Sequence, residues 1–479
     1  MKRLLIKSEF SVCSNLLERA ILINRCSEAK KLTCGIEFVP HLRITMNGRN
    51  DVTVYAVLVP FPAQGPVNAF IHLADLLAAQ GWTHKRVLPP EHGRTSHLGE
   101  LFTALAKRRD ALETLLRTEC HNGHGVPPIT CIVADSCMSC TASVATNMRV
   151  LRVVFWPVCA TVSIVQKYAH SFLSQGHIPV KVSEGKRPEI MITSLPGNIP
   201  ALWPSDLISF YREQFTSDLL YEAFPFESRM CDTGDYVLVN TFEELGGTET
   251  AAALSINGCP SVLIGPVFLP NFLGGENSTL SMWEEDDSCL HWLDRQRPRS
   301  VLYASFGSLA LKSQEQLEEL GQAAVLPKGL EERTKDRALF VKWTPQLKVL
   351  AHPSVGGFLT HSGWNSTVES ISMGVPMIGW PYCGDQFLNR RFAKEIRKVG
   401  LDFKDMDVDD GRLVRREEIK NAVVSVMESE ELQKKAMKLK DAARKAVMAR
   451  GSSFNNITTF IQDMLRHAKS LSLSLRGNM

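Results

Sequence analysis

Short, strongly apolar runs alternate with longer amphipathic stretches along most of the chain, and this alternation constrains the fold more than any other feature. VYAVLVPF (54–61) reads as a buried strand, followed by an amphipathic helix over Asn68–Gln80 that stops at Gly81. TCIVAD (130–135), RVVFWPV (152–158) and DYVLVNTF (235–242) read as further strands. A second series comprises SVLYASFG (300–307), ALFVKW (338–343), VGGFLTH (355–361) and PMIGWP (376–381). Apolar strands divided by helices imply parallel sheets covered on both faces. Between the two series, residues 267–290 carry Pro, Gly, Ser and acids and read as a linker. Two doubly wound, Rossmann-like α/β domains are therefore expected, over 51–270 and 291–450, with the linker at 271–290. Ligands in such sheets bind beyond the carboxyl ends of the strands, which puts the expected site in a cleft between the domains. Residues 451–479 are expected to form a C-terminal helix and tail, the helix packing back on the N-terminal domain.

Composition narrows the function classes. With 479 residues, 44% hydrophobic, 22% charged and a net charge of +3, nothing calls for nucleic acid as a partner. The longest apolar run, Val153 to Val165, holds thirteen residues and a proline, too short to span a bilayer. Residues 1–50 carry nine Lys/Arg against four Glu and no continuous apolar segment, and are expected to be a poorly ordered extension. Twelve scattered cysteines suit free thiols in a reducing cytosol, so a cytoplasmic location is expected. Cys137 and Cys140 have redox-motif spacing, but without thioredoxin-like surroundings they read as buried thiols. The basic face of the helical region 415–465 (Lys434, Lys435, Lys438, Arg444, Lys445) reads as a solvated helix surface.

The chemistry concentrates in HSGWNSTVES, His361 to Ser370. A strand ends at His361, Ser-Gly makes a tight turn, and a helix begins that runs to Gly374. The start of a helix presents unpaired N–H groups and the positive end of the dipole, a ready site for phosphate. Asn365 and Ser366 add donors there, and Glu369 lies one turn on, where a carboxylate can accept both hydroxyls of a ribose. Trp343 offers a flat face for a base. A bland reading competes: Ser366-Thr-Val-Glu369 also fits a capping box that needs no ligand.

The whole segment WTPQLKVLAHPSVGGFLTHSGWNSTVESISMGVPMIGWPYCGDQ, Trp343 to Gln386, resembles the 44-residue donor-binding box of plant UDP-glycosyltransferases. The resemblance extends to VLYASFGS, which contains Gly307 and Ser308, and to GSSFNNITTFI near the end. It implies the two-domain GT-B fold and a UDP-sugar co-substrate, with no other cofactor. Trp343 would stack on uracil and Gln346 would lie near the ribose. His361, Asn365 and Ser366 would hold the diphosphate at the turn containing Gly363 and Trp364. Glu369 would take the ribose hydroxyls and Asp385 with Gln386 the sugar. Gln at the last position points to UDP-glucose. Asp385 also fits a plainer role as N-cap of the helix that follows.

The resemblance also implies a general base: a histidine after the first strand, in a pattern like PAQGH, oriented by an aspartate. Here the stretch is PFPAQGPVN, and Pro66 stands at the histidine position, while the aspartate is present as Asp135. General-base catalysis contributes roughly 10²–10⁴-fold in rate. His72 is ~9 Å further along the helix axis and is expected on the helix's inner face. An acceptor carboxylate is already ionised near neutral pH and needs no base. Two readings follow. One is a metal-independent transferase that inverts the anomeric carbon and acts on a small apolar, phenolic or carboxylic acceptor; the other is a silent nucleotide-sugar binder.

Two stretches are shorter than the resemblance implies, after LLAAQGW and after LEELGQAA. Each is expected to cost its sheet an inner strand, and both divergence and a faulty gene assembly predict such gaps. DMDVDDG (405–411) mimics a calcium loop with its glycine one place late, and reads as a solvated acidic loop, so no metal is expected.

Overall fold

The computed structural model describes residues 3–7, 41–44, 54–61, 63–78, 82–85, 109–121, 129–181, 191–193, 195–213, 233–246, 248–255, 259–275, 285–307, 338–403 and 413–477. Its strands are β1 (Arg3–Lys7), β2 (His41–Ile44), β3 (Tyr55–Val59), β4 (Trp82–Lys85), β5 (Cys131–Asp135), β6 (Leu151–Trp156), β7 (Tyr236–Val239), β8 (Ser261–Leu263), β9 (Val301–Ser305), β10 (Ala338–Val341), β11 (Val355–Thr360), β12 (Met377–Gly379) and β13 (Gly400–Asp402). The helices that matter below are α1 (Gln64–Ala78), α2 (Trp364–Met373), α3 (Gln386–Arg391) and α4 (Ser452–Gly477).

Two sheets form two α/β domains. The first has the order β4-β2-β3-β5-β6-β7-β8 and the second β10-β1-β9-β11-β12-β13. In β5 and β11 every residue is buried, as expected of parallel strands covered on both faces. α1 and α4 cover one face of the first sheet: Ile457, Phe460, Ile461 and Met464 share a core with Leu58, Phe70, Leu73 and Phe155.

Segments of the first fifty residues serve as strands in both sheets. β1 lies between β9 and β10, parallel to both. β2 pairs antiparallel with β3 on one side and with β4 on the other. The expectation of a poorly ordered extension is therefore corrected for residues 3–7 and 41–44, and the first sheet is mixed rather than wholly parallel. The physical reason is that inner strand edges carry rows of N–H and C=O groups that must be paired. The acidic run 405–411 lies outside the described residues. Among the described residues, no helix is long and apolar enough to cross a membrane.

Candidate active site

The two domains share one cavity of about 370 Å³ at the carboxyl ends of their strands. Gly307, Trp343, Gln346, His361, Gly363, Trp364, Asn365, Ser366, Glu369 and Asp385 line it from one domain, and Pro66, Asn68, His72 and Asp135 from the other.

The mouth of α2 forms its floor. After β11 the backbone turns through Ser362, whose φ of 65° is left-handed, and Gly363 is the N-cap. The N-cap is a glycine with no side chain to bond the first N–H groups, so the helix start can serve an anion. The capping-box alternative is thereby corrected. The helix begins at Trp364, placing Ser366 inside the first turn, where its hydroxyl accepts a hydrogen bond from Gln346 Nε2 at 2.9 Å. The same Nε2 donates to Glu369 Oε2 at 2.7 Å. Gln346 Oε1 accepts from the Tyr303 hydroxyl at 3.2 Å, and that hydroxyl also lies 2.7 Å from Thr344 Oγ1. Burial pushes the Tyr303 pKa upward, keeping the phenol protonated. A glutamine and a glutamate on the cavity wall are thus held in one relay with a tyrosine buried behind it.

His361 is seated between two glycines. A Cβ at Gly307, whose φ is +74°, would lie 2.6 Å from His361 Nε2, and a Cβ at Gly363 would collide with the same atom. The two residues after Gly363 tie the domains together. Trp364 Nε1 donates to the Asn240 carbonyl at 2.7 Å, and Asn365 Nδ2 donates to the Gly65 carbonyl at 2.8 Å. Trp364 is only 3% exposed, so its indole works mainly as an interdomain pin.

Asp385 faces the cavity at the start of α3. Its side chain makes no cap bond; instead Oδ2 accepts from Asn389 Nδ2 at 2.9 Å. Burial raises its pKa to about 6. Gln386 is not on the cavity wall, and its Oε1 accepts from the backbone N–H groups of Tyr382 and Cys383 at 2.7 and 3.0 Å. Ser308 lies outside the described residues.

On the opposite wall Pro66 occupies the first turn of α1, where a missing N–H costs the helix nothing. Asp135 is 1% exposed at the end of β5, and its Oδ1 accepts from Cys137 N at 2.9 Å. His72 departs from the expected inner packing. It shares a helix face with Gly65 and Asn68, reaches the cavity wall, and lies 6.0 Å from the Phe268 ring. Its Nδ1 has no hydrogen-bond partner among the described residues, and burial lowers its pKa to about 4, so the ring is neutral at physiological pH. Cys137 and Cys140 are half-buried rather than fully buried, and they form no disulfide.

Residues 271–447 match the family model for UDP-glucoronosyl and UDP-glucosyl transferases. UDP-glycosyltransferase 85A8 of Stevia rebaudiana is 30% identical over 86% of this chain and 97% of its own. The chain belongs to the plant UDP-glycosyltransferase family. A 7-deoxyloganetic acid glucosyltransferase of Catharanthus roseus is 32% identical over 85% of this glycosyltransferase and 96% of its own length. In fold the chain is similar to Medicago truncatula UGT71G1 complexed with UDP-glucose, with a TM-score of 0.71 and 22% identity over 85% of this chain and 97% of that one. The GT-B architecture is thus that of a transferase using a UDP-sugar and a small-molecule acceptor.

Three polar residues of this glycosyltransferase's site were not anticipated: Tyr303, Thr344 and Asn240. Asn240 and Thr344 follow the carboxyl ends of β7 and β10, where a polar residue after an apolar run is the available signal. Tyr303 sits inside an apolar run and carries no such mark.

Proposed function

We propose that the cleft binds UDP-glucose and transfers glucose, with inversion, to a small acceptor, and that carboxylic acids are its best acceptors. The observation that carries the first half is the uncapped mouth of α2, opening onto a cavity with the Gln346–Glu369 pair on its wall. The diphosphate would meet the helix N–H groups and His361, the ribose hydroxyls Glu369 and Gln346, the uracil Trp343, and the hexose Asp385. No metal or other cofactor is required, since the helix end supplies the positive potential.

In the transfer, the acceptor oxygen forms a bond to the anomeric carbon as the bond from that carbon to the diphosphate breaks and UDP leaves. An alcohol must also lose its proton. Pro66 has no nitrogen free to take it, Asp135 is an intrinsically weak base, and the neutral His72 with its pKa of about 4 is no better. A carboxylate brings no proton, so ester formation escapes the loss. The same observation favours a second reading, a binder that holds UDP-glucose without transferring it. A cytoplasmic setting suits the described cysteines, which form no disulfide.

Calorimetry with UDP-glucose, paired with transfer assays on carboxylic, phenolic and aliphatic alcohol acceptors, separates these readings. The expected outcome is binding, with turnover of carboxylic acids above alcohols. Pro66→His should then raise alcohol transfer by roughly 10²-fold or more with donor affinity unchanged. Equal turnover of a simple alcohol by the unaltered protein would reject the acceptor preference. Binding with no transfer to any class would establish the silent binder.

A further inference from the structure

β1 is an inner strand of the donor-side sheet, second from its edge. Leu4 is in register with Leu302 on one side and Ala338 on the other, Leu5 with Tyr303 and Leu339, and Ile6 with Ala304 and Phe340. Its two neighbours run directly into opposite parts of the cavity wall. β9 leads to Ser305 and Gly307, which backs His361, and β10 leads to Trp343 and Thr344. Adjacent strands lie about 4.8 Å apart, so one intervening strand holds β9 and β10 at about twice that separation. Tyr303 on β9 reaches across this gap to Thr344 and Gln346, with hydrogen-bond distances of 2.7 and 3.2 Å. Were β9 and β10 to pair directly, Trp343 would approach the Gly307 loop by one strand spacing and the tyrosine relay would be displaced.

We propose that residues 3–7 are a spacer strand that sets the width of the donor site. They position Trp343 against the Gly307–His361 wall through the two strands they separate, and they touch no substrate themselves. The inference rests on the UDP-glucose reading of the cleft for its effect on binding, but the pairing itself is independent of that reading.

The test combines hydrogen–deuterium exchange with calorimetry on the full chain, a deletion of residues 1–8, and Leu5→Pro, which removes a ladder N–H from an inner strand. In the full chain the amides of 3–7 and 338–341 should both exchange slowly. In the two variants protection of 338–341 should be lost, and UDP-glucose affinity should fall by about 10-fold or more, the scale of one lost hydrogen bond to a charged group. A synthetic peptide of residues 1–10, added in excess to the deletion variant, should restore protection and affinity in a saturable way. Residues 3–7 exchanging as fast as a free peptide in the full chain would overturn the proposal. So would a deletion variant with affinity and protection unchanged. Because exchange needs no ligand, a full chain that failed to bind UDP-glucose would defeat the reading of the cleft and with it the effect on the donor site, while protection would still decide whether residues 3–7 pair between β9 and β10.

Discussion

Asp385 connects a local burial effect to a pH dependence. Its carboxyl is raised from an ordinary 3.8 to about 6 because burial penalises the charge. The folded protein therefore holds this proton more tightly than the unfolded chain does. The group's contribution to stability is present below the unfolded value and is lost as pH rises through about 6. Its contribution to binding has the opposite sign, since only the ionised form is a full acceptor for sugar hydroxyls. UDP-glucose affinity is expected to be steady above neutral pH and to fall as pH drops below about 6. Asp385→Asn should bind more weakly at pH 7, by about 1.5–3 kcal/mol for a lost charged hydrogen bond, and should show no such fall. Calorimetry of both proteins across that window checks this; a fall of the same size in the variant would assign the titration elsewhere. Asp385 itself is legible from the sequence through the donor-box resemblance. Its proton affinity is not, because that depends on what the fold places around it.

Among the secondary elements, the strand–turn–helix at 355–373 and its supporting glycines are readable because their signals are local: an apolar run, a Ser-Gly turn and a helical pattern closed by glycine. Gly307 shows what such a local signal conceals. Its φ of +74°, and the 2.6 Å that would separate an added Cβ from His361 Nε2, mean that no side chain fits there without moving the imidazole. Gly307→Ala should cost about 1–2 kcal/mol of stability through the left-handed backbone alone. It should also weaken UDP-glucose binding by about 10-fold or more through displacement of His361, the scale of a lost hydrogen bond to a charged group. Thermal unfolding and calorimetry measure the two effects separately, and unchanged donor affinity would show that His361 does not contact the donor. The strands β1, β2 and β4 are not legible. RLLIK, HLRI and WTHK are too short or too polar to stand out, and their places in the sheets are fixed by unfilled ladders far away in sequence. Leu269–Leu273, read as the edge of a linker, forms a short helix whose neighbouring Phe268 packs against His72.

Across the whole molecule, the two domains are joined by buried charge as well as by the pins from α2. Asp206 of the first domain is 1% exposed and pairs with Arg391 of the second, with Arg390 Nη2 a further 3.8 Å away. Arg391 Nη2 also donates to the Ala201 carbonyl at 2.7 Å, and Asp206 Oδ2 accepts from Trp203 N at 2.8 Å. Close by, Gly384 N donates to Ser209 Oγ at 2.8 Å, so this junction also anchors the loop leading to Asp385. Nothing local marks these partners, which lie 185 residues apart in sequence. Burial raises the Asp206 pKa against the opposing pull of Arg391 and Arg390, so desolvation of this carboxylate outweighs the attraction of its partners. Asp206→Ala removes the carboxylate that crosses the junction, while Arg390 keeps Asp402 at 3.2 Å and Arg391 keeps Glu395 at 3.1 Å within their own domain. The cost should therefore lie at or below about 3–5 kcal/mol, that of breaking a buried pair from one side. Since the loss falls at the junction, scanning calorimetry of the variant should show a lowered and divided transition, as the domains cease to unfold as one unit. Asp206→Asn, which keeps the shape and a carbonyl acceptor, should fall between the two. A variant melting as a single transition at the original temperature would show that the α2 pins, Trp364 to Asn240 and Asn365 to Gly65, hold the domains together without the ion pair.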